Sequence, residues 1–180
     1  MPRTTPILGL VLALALPGAA LAVGTDTTAP PEPTPTAACP SGQLWNPETR
    51  RCEDARQGQH SDALLYEAVR ELAYLGRYDS AAIVLAQMSN PRDDRVLAYR
   101  GFLARMQGDA VAATEWYLAA LEVNPDNLLV RSYMGQGMVV AGDLPGARAQ
   151  LAEIRARGGA GTWAELALAE ALTSGRTSRY

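Results

Sequence analysis

The chain has 180 residues with 16 basic and 19 acidic side chains, a formal net charge of −3, and 48% hydrophobic residues. This is enough for one domain and a tail. All the basic residues are arginines, and they are interleaved with acids rather than gathered into a stripe, which argues against a nucleic-acid partner.

Residues 1–22, MPRTTPILGLVLALALPGAALA, have the three regions of a secretory signal peptide. Arg3 supplies the early positive charge, an apolar run extends from Ile7 to Leu16, and the ALA at 20–22 forms a small-residue cleavage site. The apolar run is much shorter than the ~20 residues of a membrane span. We therefore predict cleavage after Ala22 and a periplasmic or secreted protein without stable membrane insertion.

The next two segments differ sharply in composition. Residues 23–38 are rich in Pro, Thr and Ala, which predicts a disordered, extended linker. Cys39 and Cys52 then bound a short loop, residues 39–52, and in an oxidising compartment such a pair predicts a disulfide. Two thiols and the lone His60 do not complete a four-ligand zinc site, so no metal is expected. Turn formers on both sides of residues 43–45 predict a short strand inside the loop.

From Ser61 onward the pattern becomes helical. Apolar residues recur at steps of three and four and define one face of a first helix: Leu64, Leu65, Ala68, Val69, Leu72 and Leu75. Gly76 interrupts this pattern, a second helix is predicted from about Ser80 to Met88, and the SNP at 89–91 stops it. The segment is predicted to be a helical hairpin.

The helical hairpin is repeated along the chain. Glycines recur at intervals of 32, 34 and 33 residues, at Gly76, Gly108, Gly142 and Gly175. An alanine lies five residues after each of the first three glycines, and a large residue follows four residues later. Seven residues before the second and third glycines lie Gly101 and Gly135, where a missing side chain lets two helices approach closely.

This period, with its alternation of small and large residues, resembles the tetratricopeptide repeat, a two-helix unit. The copy at residues 94–127 matches at Leu97, Gly101, Ala104, Gly108, Asp109, Ala113, Tyr117, Ala120, Asn124 and Pro125. Further copies fall at residues 62–93 and 128–159, and a helix at 161–174 would cover the last apolar face. The resemblance spans roughly residues 60–175. It implies an all-α fold, a right-handed α-solenoid of three helical hairpins and a C-terminal capping helix.

The resemblance also implies a binding face, because the first helix of each repeat lines the inner side of such a solenoid. The positions that fall on this face are Tyr66, Arg70, Tyr74, Arg95, Phe102, Arg105, Met106, Ser132, Gln136 and Val139. Aromatic, Met and Arg side chains are enriched at protein interfaces. Family members that bind a terminal carboxylate carry a Lys/Asn pattern here, which this sequence lacks, so that ligand is not expected. We expect a non-catalytic adaptor for an unknown protein or peptide, without a cofactor.

Two other functions can be weighed against this one. An enzyme is not expected, because the only histidine, His60, lies in a polar junction and no hydrolase, phosphate-loop or zinc-protease motif occurs. The alternative is carbohydrate or cell-wall binding by the Cys39–Cys52 loop, with Trp45 stacking on a sugar. In the adaptor interpretation the same loop is a structural clasp, and Trp45 packs against the neighbouring helix.

Overall fold

The computed structural model describes residues 35–178, so the predicted signal peptide and most of the predicted linker lie outside the described residues. A 3₁₀ helix at Pro35–Ala38 precedes two strands, β1 (Gln43–Asn46) and β2 (Arg51–Asp54). Seven α-helices follow in this part of the chain: α1 (Asp62–Tyr74), α2 (Tyr78–Leu85), α3 (Asp94–Met106), α4 (Ala110–Val123), α5 (Leu128–Val140), α6 (Leu144–Ala156) and α7 (Trp163–Ser174). The predicted helical fold is confirmed.

Local sequence signals set most of the helix boundaries. At every helix start except that of α2, a side-chain oxygen accepts a hydrogen bond from a backbone N–H of the first turn: Ser61, Asp93, Asp109, Asn127, Asp143 and Thr162. Just past the ends of α3 and α5, Gly108 and Gly142 have φ angles of +88° and +79°, a region that glycine adopts without strain. Each Gly-Asp dipeptide therefore ends one helix and begins the next.

Consecutive helices pack as pairs, α1 with α2, α3 with α4 and α5 with α6, and successive pairs touch through α2–α3 and α4–α5. The predicted bounds of the second helix, 80–88, were wrong at both ends. It begins at Tyr78 and ends at Leu85. The backbone N–H groups of Gln87 and Met88 bond to carbonyls three residues earlier, which tightens the chain into a turn.

Two glycines permit close helix contacts. A Cβ added at Gly101 of α3 would lie 2.4 Å from the ring of Tyr117 on α4. A Cβ added at Gly135 of α5 would lie 2.7 Å from a methyl of Leu168, which belongs to α7. Gly101 therefore serves the contact within a pair, whereas Gly135 serves the docking of the final helix.

A row of aromatic rings joins the first helices of successive pairs to one another and to α7. Tyr66 on α1 contacts Tyr99 on α3 at 5.6 Å between ring centroids, and Tyr99 contacts Tyr133 on α5 at 6.5 Å. Tyr133 in turn contacts Trp163 on α7 at 6.3 Å. All three contacts are edge-to-face, an arrangement that aromatic rings favour. This aromatic row sets the spacing between the helices that carry the predicted binding face.

Buried or partly buried acids tie the starts of α1 and α3 to the loops that close their pairs. Asp62 accepts hydrogen bonds from the backbone N–H and the hydroxyl of Ser89, at 2.9 and 2.6 Å. Asp94, 9% exposed, accepts from the side-chain amides of Asn124 and Asn127, at 2.7 and 2.8 Å. An aspartate at the start of the first helix thus closes both the first and the second pair by accepting hydrogen bonds from the loop that follows.

The disulfide hairpin packs on the first helical pair. The predicted Cys39–Cys52 disulfide is confirmed, and β1 and β2 pair antiparallel with Trp45 opposite Cys52. Leu44 is fully buried and belongs to the main apolar core, whereas Trp45 is only half-buried. Because side chains alternate along a strand, the anchor is Leu44, and Trp45 lies on the opposite strand face.

The last four residues of the predicted linker, Pro35–Ala38, form the 3₁₀ helix rather than an extended spacer. Thr36 is buried there, its hydroxyl oxygen accepts the backbone N–H of Trp45, and its carbonyl accepts the N–H of Cys39. These bonds hold the residues against the strand. Within residues 35–178, no helix combines the length and the apolar composition needed to cross a bilayer.

Candidate functional site

The predicted inner-face residues divide into a buried group and a surface group. The buried ones are Tyr66, Arg70, Phe102, Ser132 and Gln136, and the last three lie in the interior. Tyr74 is 44% exposed, and the half-buried ones are Arg95, Arg105, Met106 and Val139. The structure therefore leaves only part of the predicted set open to a partner.

Phe102 is a core residue rather than a surface anchor. Its ring contacts Tyr133 at 5.0 Å and both Tyr78 and Tyr99 at 6.1 Å. These three rings come from three different helices, and together they leave Phe102 fully buried. In this conformation Phe102 packs beneath the predicted inner face, where a partner cannot contact it.

The α1 end of the face is occupied by paired charges. The Arg95 guanidinium lies over the ring of Tyr66, 5.2 Å from its centroid, and donates two 2.9 Å hydrogen bonds to the Asp93 carboxylate. These bonds lower the pKa of Asp93 and raise that of Arg95. Arg70 lies 6.0 Å from the same ring and donates to Glu67 at 3.1 Å. Both arginines are therefore neutralised locally, which weakens any long-range attraction of an acidic partner.

The α5 end of the face already holds a non-helical piece of the chain. After α7 the backbone returns across α5, and Ser178 donates its backbone N–H and its hydroxyl to Oε1 of Gln136, at 2.9 and 2.8 Å. The Gln136 Nε2 donates to Ser132 at 3.3 Å. A buried amide at a predicted groove position thus accepts a main-chain donor from a non-helical segment.

The remaining predicted inner-face residues line two separate cavities. Tyr74 and Met106 come together at a cavity of about 380 Å³ that Gly76 and Tyr78 also line. Arg105 lies instead on a second cavity of about 360 Å³, between α4 and α5, whose wall includes Tyr117 and Met138. Burial raises the pKa of Tyr117 to about 12, and the nearby Arg105 only partly opposes the rise. The Tyr117 phenol therefore stays protonated and keeps a hydroxyl donor.

The sequence did not identify this second cavity, because its polar groups come from different helices of a pair and its far wall comes from the next pair. Tyr117 was recognised only as a packing position of the repeat. One signal was available. A tyrosine hydroxyl placed at a buried position needs a hydrogen-bond partner.

The remaining candidates lie on or near the hairpin. His60 is half-buried, with Nε2 3.2 Å from the carbonyl oxygen of Asp54 and Nδ1 3.8 Å from Glu53. It joins the hairpin to the start of α1. Trp45 lies on the strand face opposite Leu44. Among residues 35–178, no group of three or more His, Cys, Asp or Glu side chains could hold a metal ion.

Comparison with known proteins gives no relative to argue from. No family model matches the chain, and neither the curated proteins nor the solved structures include a match. The functional interpretation therefore depends on the geometry described above.

Proposed function

We propose that this protein is a non-catalytic adaptor that binds an extended segment of a partner protein on the face formed by its first helices. The contact between Gln136 and Ser178 carries the proposal, because a non-helical segment already bonds there through its main chain. A main-chain contact of this kind is available to any extended peptide, whatever its sequence. The three helical pairs would then form the tetratricopeptide-type solenoid that the repeat implies.

A cavity at the ends of α1 and α3 supplies the side-chain contacts that such a segment needs. Tyr74 and Met106 line an open cavity, and both residue types are enriched at protein interfaces. A half-exposed tyrosine buries a large area when a partner covers it, while its hydroxyl can remain hydrated. In the proposal the main chain of the partner bonds at Gln136 and an apolar side chain fills the cavity at Tyr74.

The compartment follows from the N-terminal region. A disulfide in a small hairpin persists in an oxidising environment, and the sequence before it has the pattern of a signal peptide and a linker. We propose that the adaptor works in the bacterial periplasm or outside the cell.

The tail of the chain supplies a probe for the groove. A labelled peptide GRTSRY, which has the sequence of residues 175–180, is added to a variant that ends at Ser174, and binding is measured by fluorescence anisotropy. We expect the truncated variant to bind the peptide. The full chain should bind it more weakly, because its own tail competes at a high effective concentration.

Matched variants locate the binding. Gln136→Ala in the truncated chain should abolish binding, whereas Arg148→Ala, at an exposed position on α6, should leave it unchanged. Circular dichroism checks that both variants are folded. If the truncated chain does not bind the peptide, or if Gln136→Ala binds it normally, the groove is not a peptide site.

A second experiment tests the adaptor role in cells that export the protein. A photo-reactive amino acid at Tyr74 should yield a cross-linked partner, and the same residue at Arg148 should not. Cross-linking at both positions, or at neither, would contradict binding through this face.

Carbohydrate binding by the hairpin remains the second candidate, and one observation favours it: Trp45 lies on the strand face opposite the buried Leu44. An aromatic ring at such a position can stack on a sugar. Soluble peptidoglycan fragments should then bind the wild-type chain and not Trp45→Ala. If both bind equally, the hairpin is not a carbohydrate site.

A further inference from the structure

The cavity between α4 and α5 contains polar atoms that lack partners. The Nε and Nη2 atoms of Arg105 and the hydroxyl of Tyr117 are shielded from water and complete no hydrogen bond. Arg105 lies near enough to Tyr117 to lower the pKa of its hydroxyl both as a charge and as a hydrogen-bonding neighbour, yet the pair does not meet hydrogen-bond geometry in this conformation. A buried donor without a partner destabilises the folded state, so three at one cavity wall call for an explanation.

These donors match one chemical group. Nε and Nη2 form one edge of the guanidinium plane, and two parallel N–H donors on such an edge fit the two oxygens of a carboxylate. The Tyr117 hydroxyl can add a third hydrogen bond to one of those oxygens. Arg105 is held in place from two sides, since its guanidinium lies 5.5 Å from the Phe102 ring centroid and its Cδ lies near Gly137.

Most of the remaining cavity wall is apolar. Its wall includes Met134, Met138 and Val140, and the hydroxyl of Thr114 is already donated to the carbonyl of Ala110. The amide groups of a peptide would therefore find few partners inside, whereas an alkyl chain needs none. Methionine side chains are flexible, so they can move aside and expose the guanidinium edge as a ligand enters.

We propose that this cavity binds a medium-chain aliphatic monocarboxylate, with its head group on Arg105 and Tyr117 and its chain among the methionines. The volume of about 360 Å³ lies at the small end of ligand cavities, which span about 300–1,000 Å³. The proposal goes beyond adaptor function, because this cavity shares no lining residue with the one at Tyr74 and Met106.

A second charge limits the ligand to a single carboxylate. Asp143 also lines the cavity, where its side chain accepts the N–H of Gly146 at 2.9 Å as the cap of α6. A dicarboxylate or a phosphate monoester would bring additional negative charge towards Asp143. One Arg and one Asp thus favour a monoanion over more highly charged ligands.

The experiment is isothermal calorimetry of the full chain with decanoate, and with decanamide as the neutral analogue of the same shape. We expect decanoate to bind and decanamide to bind at least about tenfold more weakly, because charge-assisted hydrogen bonds to the guanidinium are lost. Arg105→Gln should weaken the binding of decanoate by about tenfold or more. Arg148→Gln, an exposed arginine on α6, is the matched control and should change nothing.

Tyr117→Phe separates ligand binding from a structural role. Since the hydroxyl has no partner in the free protein, its removal should leave the melting temperature unchanged or raise it. The same change should weaken decanoate by about three- to tenfold. Weaker decanoate binding without a lower melting temperature supports the proposal.

Three results would overturn the proposal. Equal affinity for decanoate and decanamide would show that the Arg105 guanidinium does not bind a carboxylate. Normal decanoate binding by Tyr117→Phe and Arg105→Gln would place the ligand elsewhere. Binding of the peptide acetyl-Ala-Leu-Leu through its free C-terminus, without any binding of decanoate, would assign the cavity to a peptide terminus instead.

Discussion

The two ends of the helical array are covered in different ways. At the N-terminal end a two-stranded hairpin, closed by the Cys39–Cys52 disulfide, inserts Leu44 into the main apolar core. At the C-terminal end α7 completes a separate, smaller cluster with Ala164 and Leu168. The N-terminal end is therefore covered by a cross-linked hairpin (the covalent end), and the C-terminal end by a helix that packs without a cross-link (the packed end).

The difference follows from what each element can do for itself. A helix satisfies its own backbone hydrogen bonds, so α7 needs only an apolar stripe to dock. An isolated two-stranded hairpin is marginal in water and gains stability from a cross-link. The two ends should therefore respond to different perturbations.

The largest effect is expected at the packed end. Leu168 is fully buried against α5 and α6, and Leu168→Ala should lower the free energy of unfolding by about 2–5 kcal/mol. Urea denaturation measures the loss. Leu166→Ala, on the same helix but 58% exposed, is the control and should have little effect. Equal losses for the two variants would mean that α7 does not dock through this face.

The covalent end should depend on its cross-link. The double variant Cys39→Ala with Cys52→Ala should lower the free energy of unfolding by about 3 kcal/mol on the chain-entropy model. Hydrogen exchange should show the largest loss of protection in β1 and β2 and a smaller loss in α3–α6. Protection lost evenly along the chain would show that the hairpin is not a separate cover for this end.

Two glycines on α5 test how closely α7 docks at the packed end. Gly135→Ala would place a methyl 2.7 Å from Leu168 and should cost about 1–3 kcal/mol by overpacking. Gly137→Ala meets only the Arg105 Cδ at an ordinary 3.5 Å, so it should raise stability by about 0.5–1 kcal/mol through helix propensity. Thermal unfolding distinguishes them. Shifts of the same sign would contradict the docking geometry.

The smallest effect is electrostatic. A hydrogen bond from the N–H of Gly161, supported by one from Arg155, lowers the pKa of Glu165 at the start of α7. A lowered folded-state pKa means that this stabilisation is present above the unfolded pKa of about 4.3 and is lost as the pH falls through the folded value. Wild type and Glu165→Gln should therefore differ in stability at pH 7 and converge as the pH falls below the folded-state pKa of Glu165. Glu115→Gln should track wild type throughout.

Features that short segments of sequence determine were predictable. The Gly-Asp dipeptides at 108–109 and 142–143 mark helix ends because positive φ favours glycine and the following Asp accepts the backbone N–H of the next turn. The disulfide was predicted from two cysteines close in sequence, together with the signal-peptide pattern of residues 1–22. Each of these signals lies within a few residues of the feature it sets.

Features that depend on contacts between helical pairs were not predictable. Repeat register places Phe102 on an inner face, but Tyr78 and Tyr133 from other helices close over it. Strand alternation separates Leu44 from Trp45 without saying which of them faces the core. The donors at Arg105 and Tyr117 meet one cavity only because α5 packs against α4.

The aromatic row has a consequence for the length of the molecule. Tyr66, Tyr99 and Tyr133 are 33 and 34 residues apart, so each pair presents the same ring to the next through the same kind of contact. Because the α3–α4 pair makes the same kind of tyrosine contact with the pair on each side, it can be repeated in the chain. Tandem duplication of residues 94–127 should therefore insert a fourth pair between two existing joints and lengthen the inner face by one module, without redesign of either terminus.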